Sequence, residues 1–139
     1  MHTITKSFTF DMAHRLINYI GPCANLHGHT YTAIIQYSAN NLDSQGFVID
    51  FAEITKNIKS WVDKTWDHGV MLHKDDPLVE VVKPHTSKIY IMPCNPSAEN
   101  IARELYSATD LLINTRGKNF TIVSVAIKET PTSEAYYCE

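Results

Sequence analysis

The alternation of apolar and polar residues near the N-terminus constrains this chain more than any other feature. Ile4, Phe8, Phe10, Met12 and Leu16 fall on even positions, while Thr3, Thr5, Ser7, Thr9 and Asp11 fall on odd ones. Successive side chains of a strand point to opposite faces, so the first sixteen residues read as one half-buried strand. A loop with Asn18, Gly21 and Pro22 follows. From His27 a second alternation sets Tyr31, Ala33, Ile35, Tyr37 and Ala39 against Thr30, Thr32, Gln36 and Ser38. Consecutive strands usually pair, so these two are expected to be antiparallel neighbours.

Beyond the turn-rich residues 40–46 the period changes. Asp50 precedes Glu53 by three positions, a capping-box spacing. Phe51, Ile54, Ile58, Trp61, Val62 and Trp66 then recur at helical intervals. Residues 69–95 are mixed and broken by Pro77, Pro84 and Pro93, with Lys88–Met92 fitting a short strand. Asn95-Pro96-Ser97 opens a second helix with Ile101, Leu105, Ala108 and Leu112 on one face and Gly117 as its stop. A strand over Phe120–Lys128 places Val123, Val125 and Ile127 on one side, and a last short strand is expected at Glu134–Cys138. The expected fold is α+β: a four-stranded antiparallel sheet with two helices on one face, in a single domain over residues 1–139.

Composition narrows the function classes. Twelve Lys+Arg against fifteen Asp+Glu give a net charge of −3, which argues against a nucleic-acid partner held by a net-basic surface. No apolar run approaches the roughly 18 residues that span a bilayer, so no membrane partner is expected. The N-terminal Met1–Lys6 lacks the apolar core of a signal peptide. Cys23, Cys94 and Cys138 are an odd number with no Cys-x-x-Cys spacing, so reduced thiols in a cytoplasmic protein are expected. Cys94 and Cys138 read as small buried hydrophobes.

Histidine is the unusual component, at seven residues. His14 lies on the apolar even face at the end of the first strand. His27 and His29 lie on the apolar odd face at the start of the second. Antiparallel pairing brings the end of one strand to the start of the next, so the three imidazoles converge at one edge of one face. Three neutral imidazoles suit zinc and leave a fourth position open, as catalytic sites do. Gly28, between two of them, permits close approach of a ligand or of backbone.

Three further positions carry alternatives. Cys23, close before His27, is a thiol that a nearby metal or histidinium would acidify into a base or nucleophile. It is otherwise a fourth ligand that closes the site. Asp67 and His68 form either an orienter and an acid–base group or a solvated helix end; a mutual contact requires a turn, which Gly69 permits. Glu129 continues the row Val123, Val125 and Ile127, where an unpaired carboxylate is costly to bury. It lies in solvent at the sheet's mouth or is paired, and a two-point grip on the N–H groups of a guanine-like ring is one such pairing.

Across nearly its whole length the chain resembles the 6-pyruvoyl-tetrahydropterin synthase / 6-carboxy-tetrahydropterin synthase family. The resemblance rests on Phe10-Asp11-Met12-Ala13-His14-Arg15-Leu16, Cys23-Ala24-Asn25-Leu26-His27-Gly28-His29-Thr30-Tyr31 and Val48-Ile49-Asp50-Phe51. Asp67-His68, Asn95-Pro96-Ser97-Ala98-Glu99-Asn100 and Lys128-Glu129-Thr130 complete it. It implies that His14, His27 and His29 bind zinc, that Cys23 is the catalytic thiol, and that Asp67 and His68 complete the acid–base set. It also implies that Glu129 anchors the pterin ring and that Ser97, where threonine is frequent, belongs to the substrate site. The implied fold is the tunnelling fold, whose subunits join sheets into a barrel and assemble as a homohexamer with sites between subunits. The family's substrate is 7,8-dihydroneopterin triphosphate, with Arg15, Lys74 and Lys128 as candidate cations for its phosphates.

Three residues separate Cys23 from His27-Gly28-His29, as in the 6-carboxy branch, which makes 6-carboxy-5,6,7,8-tetrahydropterin, acetaldehyde and triphosphate for queuosine biosynthesis. The alternatives are a 6-pyruvoyl-tetrahydropterin synthase and, from another class, a noncatalytic zinc-binding oligomer. Met12 and Thr30 also depart from the usual pattern, and residues 73–94 are longer than in compact members.

Overall fold

β1 (His2–His14) and β2 (His27–Ala39) pair antiparallel along their whole length, with His2 opposite Ala39 and His14 opposite His27. The computed structural model describes residues 1–139. Met12 lies opposite His29 and Phe10 opposite Tyr31, so the even residues of β1 and the odd residues of β2 share the buried face. The alternation thus sets both the pairing and the inward face, because a one-residue slip would turn every apolar side chain outward. β1 stops at His14, short of Leu16.

β5 (Phe120–Thr130) joins the far side of β2, and β6 (Ser133–Tyr137) joins β5, both antiparallel. These four strands form the expected sheet. Two more extend it beyond β1: β3 (Gly69–His73) and β4 (Ile89–Met92), both parallel, giving six strands in the order β4-β3-β1-β2-β5-β6. β3 carries no alternation, since Val70, Met71 and Leu72 are all buried; parallel strands covered on both faces read as continuous apolar runs.

β5 also departs from simple parity. Gln36 pairs with Ser124 but Tyr37 pairs with Ile122, so Val123 is an extra residue in a β-bulge. The bulge puts Phe120 and Ile122 inward on even positions and Val125 and Ile127 inward on odd ones, and leaves Val123 exposed. Val123 therefore does not share the face of Val125 and Ile127.

The first long helix, α1, runs over residues 51–65, with a π-type turn at Thr55–Lys59. Asp50 caps it by accepting from the Ala52 N–H at 2.8 Å. Ile54, Ile58, Val62 and Trp66 are buried, whereas Phe51, expected on that face, is exposed. A short α2 (Leu78–Val82) links β3 to β4. α3 (Ala98–Ile113) buries Ile101, Ala102, Leu105, Tyr106, Thr109 and Ile113. Leu112 faces outward, and the helix ends at Asn114 in left-handed conformation rather than at Gly117. Both long helices pack on the same sheet face, where Phe10, Tyr31 and Ile35 meet Ile58, Trp66 and Leu105 in one core. Burying each such side chain contributes about 1.5–3 kcal/mol, so packing outweighs propensity in holding these helices.

All three cysteines are free; Cys94 packs against the core, but Cys138 is exposed and is not a buried hydrophobe. No helix is long and apolar enough to cross a membrane.

Candidate metal centre and active site

His14, His27 and His29 meet at the end of the β1–β2 ladder, with ligand nitrogens within 4.8 Å of one another and ring centroids 4.7–5.2 Å apart. Backbone carbonyls orient two of the rings. His14 Nδ1 donates to the Pro96 carbonyl at 2.7 Å, and His27 Nδ1 donates to the Asn25 carbonyl at 2.7 Å. Each bond fixes the tautomer and leaves the Nε2 lone pair free, which is how second-shell partners prepare metal ligands. Nε2 of His14 and of His29 is buried without a hydrogen-bond partner. Burial is the largest influence on His14 and lowers its pKa, against the Pro96 bond and Glu129, so the neutral, ligating form is favoured. Three converging imidazoles, two of them with a buried Nε2 that has no hydrogen-bond partner, are a donor set that fits zinc.

Tyr31 floors the cluster. Its ring stacks on Phe10 at 5.2 Å and meets His14 and His29 edge-on at 5.7 and 5.4 Å. Burial drives the phenol pKa upward, so Tyr31 is neutral packing. Gly28 lets the strands close here: a Cβ would stand 3.0 Å from the Met12 carbonyl oxygen. The approaching group is the β1 backbone.

Cys23, Ser97 and Glu129 line one cavity with His14, of about 240 Å³. Cys23 sits in a single 3-10 turn at Pro22–Ala24, pinned by the Leu16 N–H donating to its carbonyl at 2.9 Å. Its sulfur is not part of the three-histidine group. Ser97 caps α3 by accepting from the Asn100 N–H at 3.4 Å. Glu129 is buried over most of its side chain, with Oε1 at 3.2 Å from His14 Nε2 and 3.6 Å from His29 Nε2.

Asp67 and His68 do touch: His68 Nδ1 lies 2.8 Å from Asp67 Oδ2. The turn that allows this is made by His68 itself, at φ 60°, and not by Gly69. Asp67 Oδ1 accepts from the Asp11 N–H at 2.8 Å. Burial pushes the Asp67 carboxyl up, but the hydrogen bonds from Asp11 and His68 outweigh it, and the net shift is downward. His68 lines a second cavity of about 400 Å³ with Asp11, Gly28, His29 and Thr30. Within one chain, Cys23 and His68 therefore line different cavities.

Two supporting contacts carry no sequence signal, although Asn95 and Arg15 lie in the quoted motifs. Asn95 donates to the Ile17 carbonyl and accepts from the Ile17 N–H, both at 2.9 Å, joining the segment that follows His14 to the start of α3. Arg15, a candidate phosphate cation by sequence, is instead paired with the buried Asp76. An amide or cation followed by distant partners looks like ordinary surface until the chain is folded.

Comparisons with known proteins bear on the family and the fold. The family described as 6-pyruvoyl tetrahydropterin synthase matches residues 3–139. A Rickettsia felis protein named 6-carboxy-5,6,7,8-tetrahydropterin synthase is 38% identical over 131 residues, spanning 91% of this chain and 93% of that protein. The structure of Caenorhabditis elegans 6-pyruvoyl tetrahydropterin synthase is 25% identical with a TM-score of 0.73, over 99% of this chain and 95% of that one. An uncharacterized protein from Wolinella succinogenes, 24% identical, shares the fold at a TM-score of 0.84 over 99% and 98% of the two chains. With the three histidines, Cys23 and Glu129 gathered at one end of such a sheet, the chain belongs to the 6-pyruvoyl tetrahydropterin synthase family.

Proposed function

We propose that this chain is a zinc-dependent 6-carboxy-5,6,7,8-tetrahydropterin synthase, a lyase converting 7,8-dihydroneopterin triphosphate and one water to 6-carboxy-5,6,7,8-tetrahydropterin, acetaldehyde and triphosphate. The observation that carries the reading is the cavity shared by His14, Cys23, Ser97 and Glu129 beside imidazoles with unpartnered nitrogens. The three-residue gap between Cys23 and His27 and the name of the Rickettsia felis relative favour the carboxy product.

His14, His27 and His29 would hold the metal. Bound zinc supplies Lewis-acid polarisation of the substrate's side-chain oxygens. Cys23, on the wall of the cavity, moves one side-chain proton. His68 moves a second, held by the Nδ1 bond to Asp67 so that Nε2 faces outward for transfer. Glu129 accepts from the N–H edge of the pterin ring, and the Ser97 hydroxyl lies on the same wall.

The separate cavities of Cys23 and His68 support a homo-oligomer in which the thiol of one subunit meets Asp67 and His68 of another. The outer strands β4 and β6 each leave one edge of the sheet unpaired, which suits sheets joined into the barrel of a hexamer. Free thiols fit a cytoplasmic enzyme of queuosine biosynthesis.

The test is turnover of 7,8-dihydroneopterin triphosphate with and without a chelator, with products identified by mass spectrometry. Chelator-sensitive formation of the carboxy product and acetaldehyde is expected. A pyruvoyl product would overturn the assignment within the family, and a zinc-loaded protein without turnover would make it a noncatalytic binding module.

A further inference from the structure

We propose that Lys88 is a positioning residue for the Asp67–His68 pair, locking from the position just before β4 the turn that aims the His68 imidazole. The inference rests on reading Asp67 and His68 as the acid–base pair of the proposed function. His68 has a side chain 75% exposed, so almost no packing orients its ring. Its direction must come from its own backbone and from the bond between Nδ1 and Asp67. That backbone is left-handed at φ 60°, which a non-glycine residue keeps only where its surroundings over-determine it.

The surroundings grip the turn from two sides. From β1, the Asp11 carbonyl accepts from the His68 N–H at 2.7 Å, while the Asp11 N–H donates to the Asp67 carboxylate at 2.8 Å. From the opposite side the Lys88 ammonium donates to the carbonyl of Asp67 at 2.8 Å and to that of Asp63 at 2.6 Å. Carbonyls at a helix C-terminus lack intrahelical partners, and a lysine is a favourable donor for them. Here the donor comes from 21 and 25 residues further along the chain, so the bonds tie the end of α1 to the residue that enters β4. The Val70 N–H donating to the Lys88 carbonyl at 3.0 Å fixes the lysine's own backbone. Gly69 makes room for it, since a Cβ there would meet Lys88 Cβ at 2.9 Å and its carbonyl oxygen at 3.0 Å.

Lys88 lies within residues 73–94, a stretch that thereby acquires a role. It returns the chain to the sheet beside β3 and delivers a cation under the residue preceding His68.

The experiment compares wild type, Lys88→Met and Lys88→Arg in the full-length zinc-loaded protein. The side-chain ¹⁵N spectrum reads the His68 tautomer, and kinetics read kcat and KM. Lys88→Met is expected to lose the Nδ1–H preference of His68 and to lower kcat roughly 10–100-fold with KM and zinc content unchanged. Lys88→Arg, which keeps a cation with several donors, is expected to retain the tautomer and most of kcat. If Lys88→Met does not fold, Lys88→Gln carries the same comparison. A wild-type tautomer and kcat without the ammonium, or equal losses in the methionine and arginine variants, would overturn the proposal. If wild type itself shows no turnover the proposed function fails, while the tautomer comparison still decides the role of Lys88.

Discussion

Arg15 and Asp76 form a two-point pair one residue beyond the metal-ligand candidate His14, with Nε and Nη2 donating to the two carboxylate oxygens at 2.7 and 2.5 Å. The Asp76 carboxylate is fully buried and also accepts from the Leu78 N–H, starting α2. Removing one partner of such a pair strands the other, so Asp76→Ala is expected to cost about 3 kcal/mol, read as a lower midpoint in urea unfolding. The pair also sets an acid limit. The Arg15 hydrogen bond holds the Asp76 carboxyl below its ordinary 3.8, outweighing burial. A pKa depressed by folding gives stability that is complete above the unfolded value and is lost as pH falls through the folded one. Unfolding free energy should therefore decline below about pH 4 in wild type and decline less in Asp76→Asn.

Gly28 sits where a Cβ would press on the Met12 carbonyl oxygen at 3.0 Å, a backbone atom that cannot rotate away. Gly28→Ala should push β2 from β1 between His27 and His29 and spread the three imidazoles. Zinc affinity, measured by competition with a chromophoric chelator, is expected to fall roughly 10–100-fold. Unchanged affinity would show that the strands absorb the methyl elsewhere.

Cys23 lies outside the three-histidine group yet lines its cavity. Cys23→Ala should keep the zinc content of wild type and lose turnover by at least about a thousandfold, as expected when a proton-transfer group is deleted from a site that acts as a unit. Metal lost together with the thiol would indicate a closed four-ligand site instead.

His68 and Cys23 line different cavities of one chain, which gives a test of shared sites. Cys23→Ala and His68→Ala homo-oligomers should each be inactive. Mixing them through reversible unfolding should restore part of the wild-type rate, because some interfaces then carry an intact thiol beside an intact imidazole. Failure to recover any rate, with mixed oligomers demonstrated by native mass spectrometry, would refute sites built from two subunits.

The histidine cluster was legible because strand parity is a property of covalent geometry. Once Met12, Phe10 and Phe8 face inward, His14 must also, and the same holds for His29 and His27 through Tyr31 and Ala33. Parity failed where the backbone itself departed from period two, at the bulge that turns Val123 outward. It was silent where a strand is buried on both faces, as at Val70-Met71-Leu72.

Alternation by itself thus determined the β1–β2 pair, the inward face and the convergence of three imidazoles, since each follows from residue order along an extended chain. Only the tertiary structure decided which carbonyls orient His14 and His27, that Arg15 belongs to Asp76, and that Lys88 reaches the turn of His68. It also decided that Cys23 and His68 line separate cavities. Most of these contacts join residues tens of positions apart, and such pairing depends on how helices and crossovers pack, which no local period encodes.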